Sequence, residues 1–362
     1  MKSVPFVALT LLIPASLVCA FSAETAQMAK SRLSEALLSP SGKLTLSPEI
    51  VIPEPSDPTA FLLQTSAIQK LSERMRLEAK CNTAWIRGGV TALKVFCNEQ
   101  EEARGNFPGP VPAIYCDEEI DVEDLSEIRD AGAEGVIAPV LAGAEISSLE
   151  DISSDDAFVS FCKSALDCGL QPIPEICIGE STAAAWKEEE MVALVETLSG
   201  TLGEDPVSVL VTINKPPAAE SDDDSDDNDV ESPLPKVSKA LGRKVPIMGS
   251  LRVTAGGGRM GDETARMKTA GLTGALLRRE CVPNYERNPD LTYVANFWSA
   301  CIGDLKSTRS KTFNFRSKNN MEKSVATQWA NLQADVLDSG ALGDPDGPPP
   351  DLNPDNGDYQ GF

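Results

Sequence analysis

No histidine occurs among the 362 residues. Serine–histidine and cysteine–histidine nucleophiles and histidine metal ligation are therefore excluded, and any proton transfer falls to Lys, Asp, Glu, Tyr or Cys. The nine cysteines form no CxxC pair and no other metal-ligand spacing, so neither a metal nor a cofactor is expected. Basic residues are in deficit, 32 Lys and Arg against 55 Asp and Glu, for a formal net charge of -23. Such a surface cannot replace the counterions of a nucleic acid, and that partner class is excluded. No GxGxxG follows the first expected strand, which argues against an open dinucleotide-binding sheet.

What is present begins with Lys2, an apolar core through Val18 and the small-residue ending Val18-Cys19-Ala20. Residues 1–20 read as a signal peptide, too short and too interrupted by proline to span a membrane. No membrane is expected for the mature form. Phe21-Ser22-Ala23 and the Ser/Ala-rich stretch that follows make 21–45 resemble the second half of the bipartite plastid leaders of algae with secondary plastids. Cys97, Cys116 and Cys177 end apolar runs, and Cys162 and Cys168 fall on an apolar helical pattern. These read as buried free thiols, which points to a reducing compartment. The plastid stroma is the expected destination, with secretion as the alternative.

From Glu49 onward, short apolar runs alternate with amphipathic stretches. Strands are expected at 49–53, 92–97, 111–116, 135–140, 171–177, 207–213, 244–250 and 274–279. Helices are expected at 67–87, 122–131, 155–167, 183–198, 235–241, 263–269 and 291–302. Eight strands in strict alternation predict an α/β fold, a closed (β/α)8 TIM barrel spanning 46–308. An acidic insertion at 219–232 lies between strand six and its helix, where loop length costs little. A helical extension at 309–338 and an acidic tail at 339–362 follow, the latter too polar to bury a core. The acidic loop or tail offers a contact for a protein partner.

With the units placed, the chain resembles the indole-3-glycerol-phosphate synthase family from roughly Glu49 to Ile302. The stretch Trp85-Ile86-Arg87-Gly88-Gly89-Val90-Thr91-Ala92-Leu93-Lys94-Val95 is similar to that family's helix, double glycine and second strand. Pro112 to Cys116 resembles its third strand, Pro174-Glu175-Ile176 its fifth, Ile213-Asn214 its sixth and Ser250 its seventh. The resemblance implies decarboxylating ring closure of a carboxyphenylamino-deoxyribulose phosphate in tryptophan biosynthesis. In that family a strand-three lysine is the general acid, aided by a glutamate and a lysine on strand one and glutamates on strands five and seven.

Here the strand-three lysine corresponds to Asp117 and the strand-one pair to Val51 and Pro53, with Glu54 nearby. The strand-seven glutamate corresponds to Gly249, and the phosphate-cradling Gly-Ser of strand eight to Arg278-Arg279. Glu175, Asn214 and Ser250 remain, and Ser56 matches the serine of the first loop. Ring closure needs a cationic donor aimed at the ketose oxygen, and an ionised aspartate would repel the developing charge. Catalysis is thus altered or lost unless Lys94 or Lys215 replaces the acid.

Taken without the family, the strand ends still form two sectors. Asp117, Glu118 and Glu175 are acidic. Lys215, Arg252, Arg278 and Arg279 are basic, beside Gly256-Gly257-Gly258. Three successive glycines allow backbone N–H groups to converge on an anion, and arginine can grip phosphate bidentately. A phosphorylated small molecule is the expected ligand. Only one of Arg278 and Arg279 can face inward, because neighbours on a strand point to opposite sides. Two alternatives to these roles stay open: Glu175 as a structural partner of an interior Lys or Arg, and the arginines in surface salt bridges.

Overall fold

The computed structural model describes residue 30, residues 32–39, 42–53, 58–117, 120–214, 233–252, 259–283, residue 285 and residues 290–307. Eight parallel strands close into a barrel in sequence order. They are β1 (Thr45–Val51), β2 (Ala84–Arg87), β3 (Ala113–Tyr115), β4 (Gly135–Pro139), β5 (Gln171–Gly179), β6 (Val209–Asn214), β7 (Ile247–Leu251) and β8 (Gly274–Leu277). β8 pairs back onto β1, with Thr45 opposite Gly274 and Pro48 opposite Leu277. The expected (β/α)8 barrel is the fold.

A short helix, α1 (residues 32–37), precedes β1. The outer helices are α2 (Pro58–Arg74), α3 (Val90–Glu102), α4 (Leu125–Asp130), α5 (Glu150–Ser154), α6 (Asp156–Cys168), α7 (Glu180–Ala185), α8 (Glu188–Leu202), α9 (Lys239–Lys244), α10 (Arg259–Thr269) and α11 (Leu291–Ser307). None of the described helices is long and apolar enough to cross a membrane.

Two expectations are corrected near the start. The strand expected at 92–97 is the middle of α3. Its buried residues Ala92, Leu93, Phe96, Cys97 and Gln100 recur with helical spacing along one face. The true second strand is the four-residue run Ala84–Arg87, which had been assigned to the end of a helix over 67–87. That helix is α2, and a π-turn over Met75–Ala79 brings it to an end. Gly88 makes the tight exit from β2 possible. Its φ is 133°, and a side chain there would collide with the Ile52 carbonyl oxygen. Lys94 is consequently on the exposed face of α3, not inside a strand.

The first strand also begins earlier than expected, at Thr45 rather than Glu49. The barrel's packing starts earlier still. Leu33 and Leu37 of α1 are fully buried in the same interior cluster as Trp85, Ile114, Ile137, Ile173 and Leu276. Part of the segment expected to be transit peptide is therefore barrel core, and a boundary at residue 46 is too late. The stretches expected to be a signal peptide, an acidic insertion, a C-terminal extension and a tail lie outside the described residues.

Side chains alternate along each strand. Leu46, Ile50, Ile86, Val136, Ile176 and Val211 pack outward with the helices, while Trp85, Ile114, Ile173, Leu210, Met248 and Leu276 fill the interior. The cysteines follow the same logic. Cys81, Cys97, Cys116, Cys162, Cys177, Cys281 and Cys301 are buried free thiols, and Cys168 is partly exposed. Burial pushes Cys97 and Cys162 up to about 12, so these thiols are unreactive at neutral pH.

Candidate functional site

In a parallel barrel the strand C-termini and the loops that follow them carry the chemistry. Above the apolar interior, the next inward positions are polar. β1 contributes Glu49, β2 Arg87, β5 Glu175, β6 Thr212 and β7 Ser250, and Arg278 follows β8. Arg278 is the centre of this layer and is only 4% exposed. Its Nε donates to Ser250 Oγ at 2.9 Å, and its Nη2 donates to Glu175 Oε1. Its Nη1 lies 3.6 Å from Glu49 Oε2. Thr212 Oγ1 donates to the same Glu175 oxygen at 2.7 Å. On the other side, Arg87 Nε donates to Glu49 Oε1 at 2.8 Å, and the Arg279 amide approaches Glu49 Oε2 at 3.3 Å.

The chain Arg87–Glu49–Arg278–Glu175 links strands two, one, eight and five across the hollow. Two guanidinium groups meet two carboxylates, so these four charges sum to zero. Burial alone would weaken Arg278's hold on its proton, but the carboxylates of Glu175 and Glu49 more than offset this and raise its pKa. Cys116 and Cys177 also face this layer. Burial, reinforced by Glu49, holds Cys116 well above the usual thiol range, and burial with Glu175 pushes Cys177 up to about 11.

Asp117 is placed differently from the expectation for it. Its Oδ2 accepts from the Gly88 amide at 3.3 Å and lies 3.2 Å from the Tyr115 hydroxyl. That hydroxyl is 2.8 Å from the Gly88 carbonyl. Asp117 thus pins the turn after β2 to the end of β3. The inward group at this level of β3 is Cys116, which belongs to the interior cluster. Burial and the neighbouring Asp117 together raise the Tyr115 pKa.

On β1 the inward carboxylate is Glu49, two residues before Val51 and on the same side of the strand. On β7 a side chain at Gly249 would meet Leu272 and Met267 of the outer layer at 3.0 Å, so that position points outward. Ser250 is the inward one, as its bond to Arg278 requires. None of the eight strands contains a lysine.

Asn214 ends β6 beside Gly179, half-buried at the rim. Of the arginine pair, Arg278 faces inward. Arg279 turns away, its side chain 32% exposed, over the Tyr285 ring at 5.9 Å and beside Glu280. Arg252 is exposed just beyond β7. Two carboxylates, Glu49 and Glu175, already hold the Arg278 guanidinium. Ser56, Lys215, Gly256, Gly257, Gly258 and Glu118 lie outside the described residues.

The rim between strands four and five carries backbone strain. Leu141 and Ala142 adopt φ of 50° and 51°, a left-handed conformation that costs an ordinary residue about 1–2 kcal/mol. Asp155 holds the turn, its Oδ2 accepting from the Leu141 amide at 2.6 Å. The Ile146 amide then donates to the Cys177 carbonyl at 2.9 Å, stitching this loop to β5.

No family model and no curated protein matches the chain. Solved structures of similar shape include a methylornithine synthase, 12% identical, covering 79% of this chain and 91% of that one at a TM-score of 0.41. The tryptophan synthase α2β2 complex from Pyrococcus furiosus includes a chain 9% identical, covering 73% and 97% at 0.39. The carboxyl transferase domain of Rhizobium etli pyruvate carboxylase is 10% identical, covering 88% and 56% at 0.42. Likenesses this distant concern architecture alone. They fit a barrel and select no chemistry.

Three residues of the polar layer escaped the sequence reading, Glu49, Arg87 and Thr212. A signal for Glu49 was present. In Thr45-Leu46-Ser47-Pro48-Glu49-Ile50 the polar residues occupy every second position, which marks a strand with a polar inner face. Arg87 was hidden by the misplaced helix.

Proposed function

We propose that this chain is a barrel of the indole-3-glycerol-phosphate synthase type in which ring closure no longer operates, and which binds a small anionic metabolite at its mouth. The observation that carries this reading is the clamp on Arg278. A barrel that closes the indole ring needs an ammonium aimed inward from strand three and a carboxylate free to exchange protons. Here strand three offers a protonated thiol at Cys116, and Glu175 is bound to a guanidinium and a hydroxyl. Substrate charge would have to compete with an internal ion pair that is already satisfied.

Ligand binding then falls to the exposed Arg252 and the partly exposed Arg279 on the side of strands seven and eight. A phosphate ester is the ligand this edge suits, because its oxygens can take charge-assisted hydrogen bonds without unmaking the inner pairs. The plastid destination belongs to the same reading and rests on the leader. Glu49, Glu175 and Asn214 at the ends of strands one, five and six favour a second reading, a lyase with a displaced acid.

Complementation of a tryptophan auxotroph lacking this step separates the two. Soluble, folded protein is expected to give no growth. Growth that Glu175→Gln abolishes would establish the lyase and end the first reading. For the ligand, a thermal-shift series with sugar phosphates should show stabilisation of about 2.7 kcal/mol at a hundredfold excess over the dissociation constant. Loss of that shift in Arg252→Ala/Arg279→Ala is expected. A shift untouched by the double replacement would place the ligand elsewhere.

A further inference from the structure

The amino-terminal end of the barrel is closed by the protein's own chain. Leu33 and Leu37 are both 0% exposed and lie in the interior cluster with Trp85 and Ile173. We propose that α1, with Lys30 just before it, is a latch the barrel cannot lose, so that any proteolytic maturation must stop before Lys30.

Polar contacts tie the latch to three separate loops at that end and to the first residue of β1. Lys30 Nζ donates to Glu204 at 2.8 Å and to the Asp205 carbonyl at 2.9 Å, in the turn between α8 and β6. Arg32 pairs with Glu134 at 2.8 Å, just before β4. Asn82, just before β2, donates to the Ala36 carbonyl at 3.1 Å and accepts from the Leu46 amide at 3.1 Å. Thr45 Oγ1 lies 3.5 Å from the Leu37 carbonyl and 3.2 Å from that of Thr273, which precedes β8.

The barrel is shaped to receive these side chains. Gly135 opens β4, and a side chain there would press on Leu33 at 3.2 Å. A leader that is merely passed through would not be matched residue by residue in this way. Cutting the latch would remove Leu33 and Leu37 from the interior cluster and expose the residues they pack against. A leader peptidase acting between the apolar run and Lys30 leaves the latch whole, whereas cleavage at the previously expected boundary near residue 45 removes it.

The test compares deletion of residues 1–29 with deletion of residues 1–38, alongside two replacements in the full chain. Removal of 1–29 should leave the melting temperature within about 2 °C of the full chain, while removal of 1–38 should lower it by about 10 °C or abolish solubility. In the full chain, Leu33→Asp should cause a comparable loss, and Leu62→Asp, at a leucine 71% exposed, should cause none. Equal melting of the two deletions, or tolerance of Leu33→Asp, overturns the latch. A collapse already on removal of 1–29 overturns the boundary at Lys30.

Discussion

The two ends of this barrel are closed by opposite physics. At the amino-terminal end two leucines from α1 fill the hollow, and the stabilisation comes from apolar surface taken out of water, about 1.5–3 kcal/mol for each side chain. At the carboxy-terminal end the hollow is spanned by Arg87, Glu49, Arg278 and Glu175, whose mutual attraction mainly offsets the cost of burying them. The first closure tolerates small shifts, because dispersion has no direction. The second depends on every partner being present, because any one charge left alone is expensive.

The sharpest way to break the comparison is Arg278→Met, which leaves Glu49 and Glu175 facing each other without their shared cation. A loss of about 3–5 kcal/mol at neutral pH is expected in urea unfolding, against less than about 0.5 kcal/mol for the exposed Arg252→Ala. Equal effects would mean the polar layer is not the structural unit described.

Leu33→Ala probes the other end and should cost about 2–5 kcal/mol through lost burial and the cavity left behind. Its effect should be nearly independent of pH and salt, unlike that of Arg278→Met.

Glu134 sharpens the comparison further, because it is a half-buried charge at the apolar end, paired with Arg32. Burial pushes its carboxyl up to about 7, and the nearby Arg32 and Arg104 only partly oppose this, with Glu101 adding to the rise. A carboxyl whose pKa is raised on folding from 4.5 contributes stability fully present below pH 4.5 and lost as the pH rises through about 7. Glu134→Gln should therefore flatten the decline in stability between pH 5 and 8. At pH 8 it should gain at most about 3 kcal/mol, reduced by whatever the Arg32 pair supplied. An unchanged pH profile would show that the ion pair fully compensates burial.

The smallest expected effect is at Thr212→Val. It removes the hydroxyl that holds Glu175 and should cost about 1 kcal/mol. No loss would mean Arg278 alone positions that carboxylate.

Much of the fold was legible because alternation is a local property. The later six strands fall within a few residues of where apolar runs and turn residues place them. The errors lie at β1 and β2, and each has a physical origin. Ala84–Arg87 is too short to show a period, while Val90–Cys97 is rich in residues that suit a strand until Gln100 and its neighbours reveal a helical face. β1 has a polar inner side, so a search for apolar runs found only its second half. At the site, Glu175 was legible as a carboxylate on an apolar strand, and strand geometry required that only one of Arg278 and Arg279 face inward, but the contacts of Arg278 with Ser250 and Glu175 decided which. The partner that makes sense of them, Glu49, is more than a hundred residues from either, and no local pattern connects them.

The order of apolar and polar residues by itself determined an eight-fold alternation, the absence of histidine chemistry and the burial of the thiols. Only closure of the sheet decided which charges meet. Bringing strand eight beside strand one places Arg278 between two carboxylates, and in a medium of low polarity that encounter turns what looks like a free cation into half of an internal pair. Closure likewise turned a stretch that reads as a disposable leader into the floor of the barrel, since the hollow at the base exists only once all eight strands surround it.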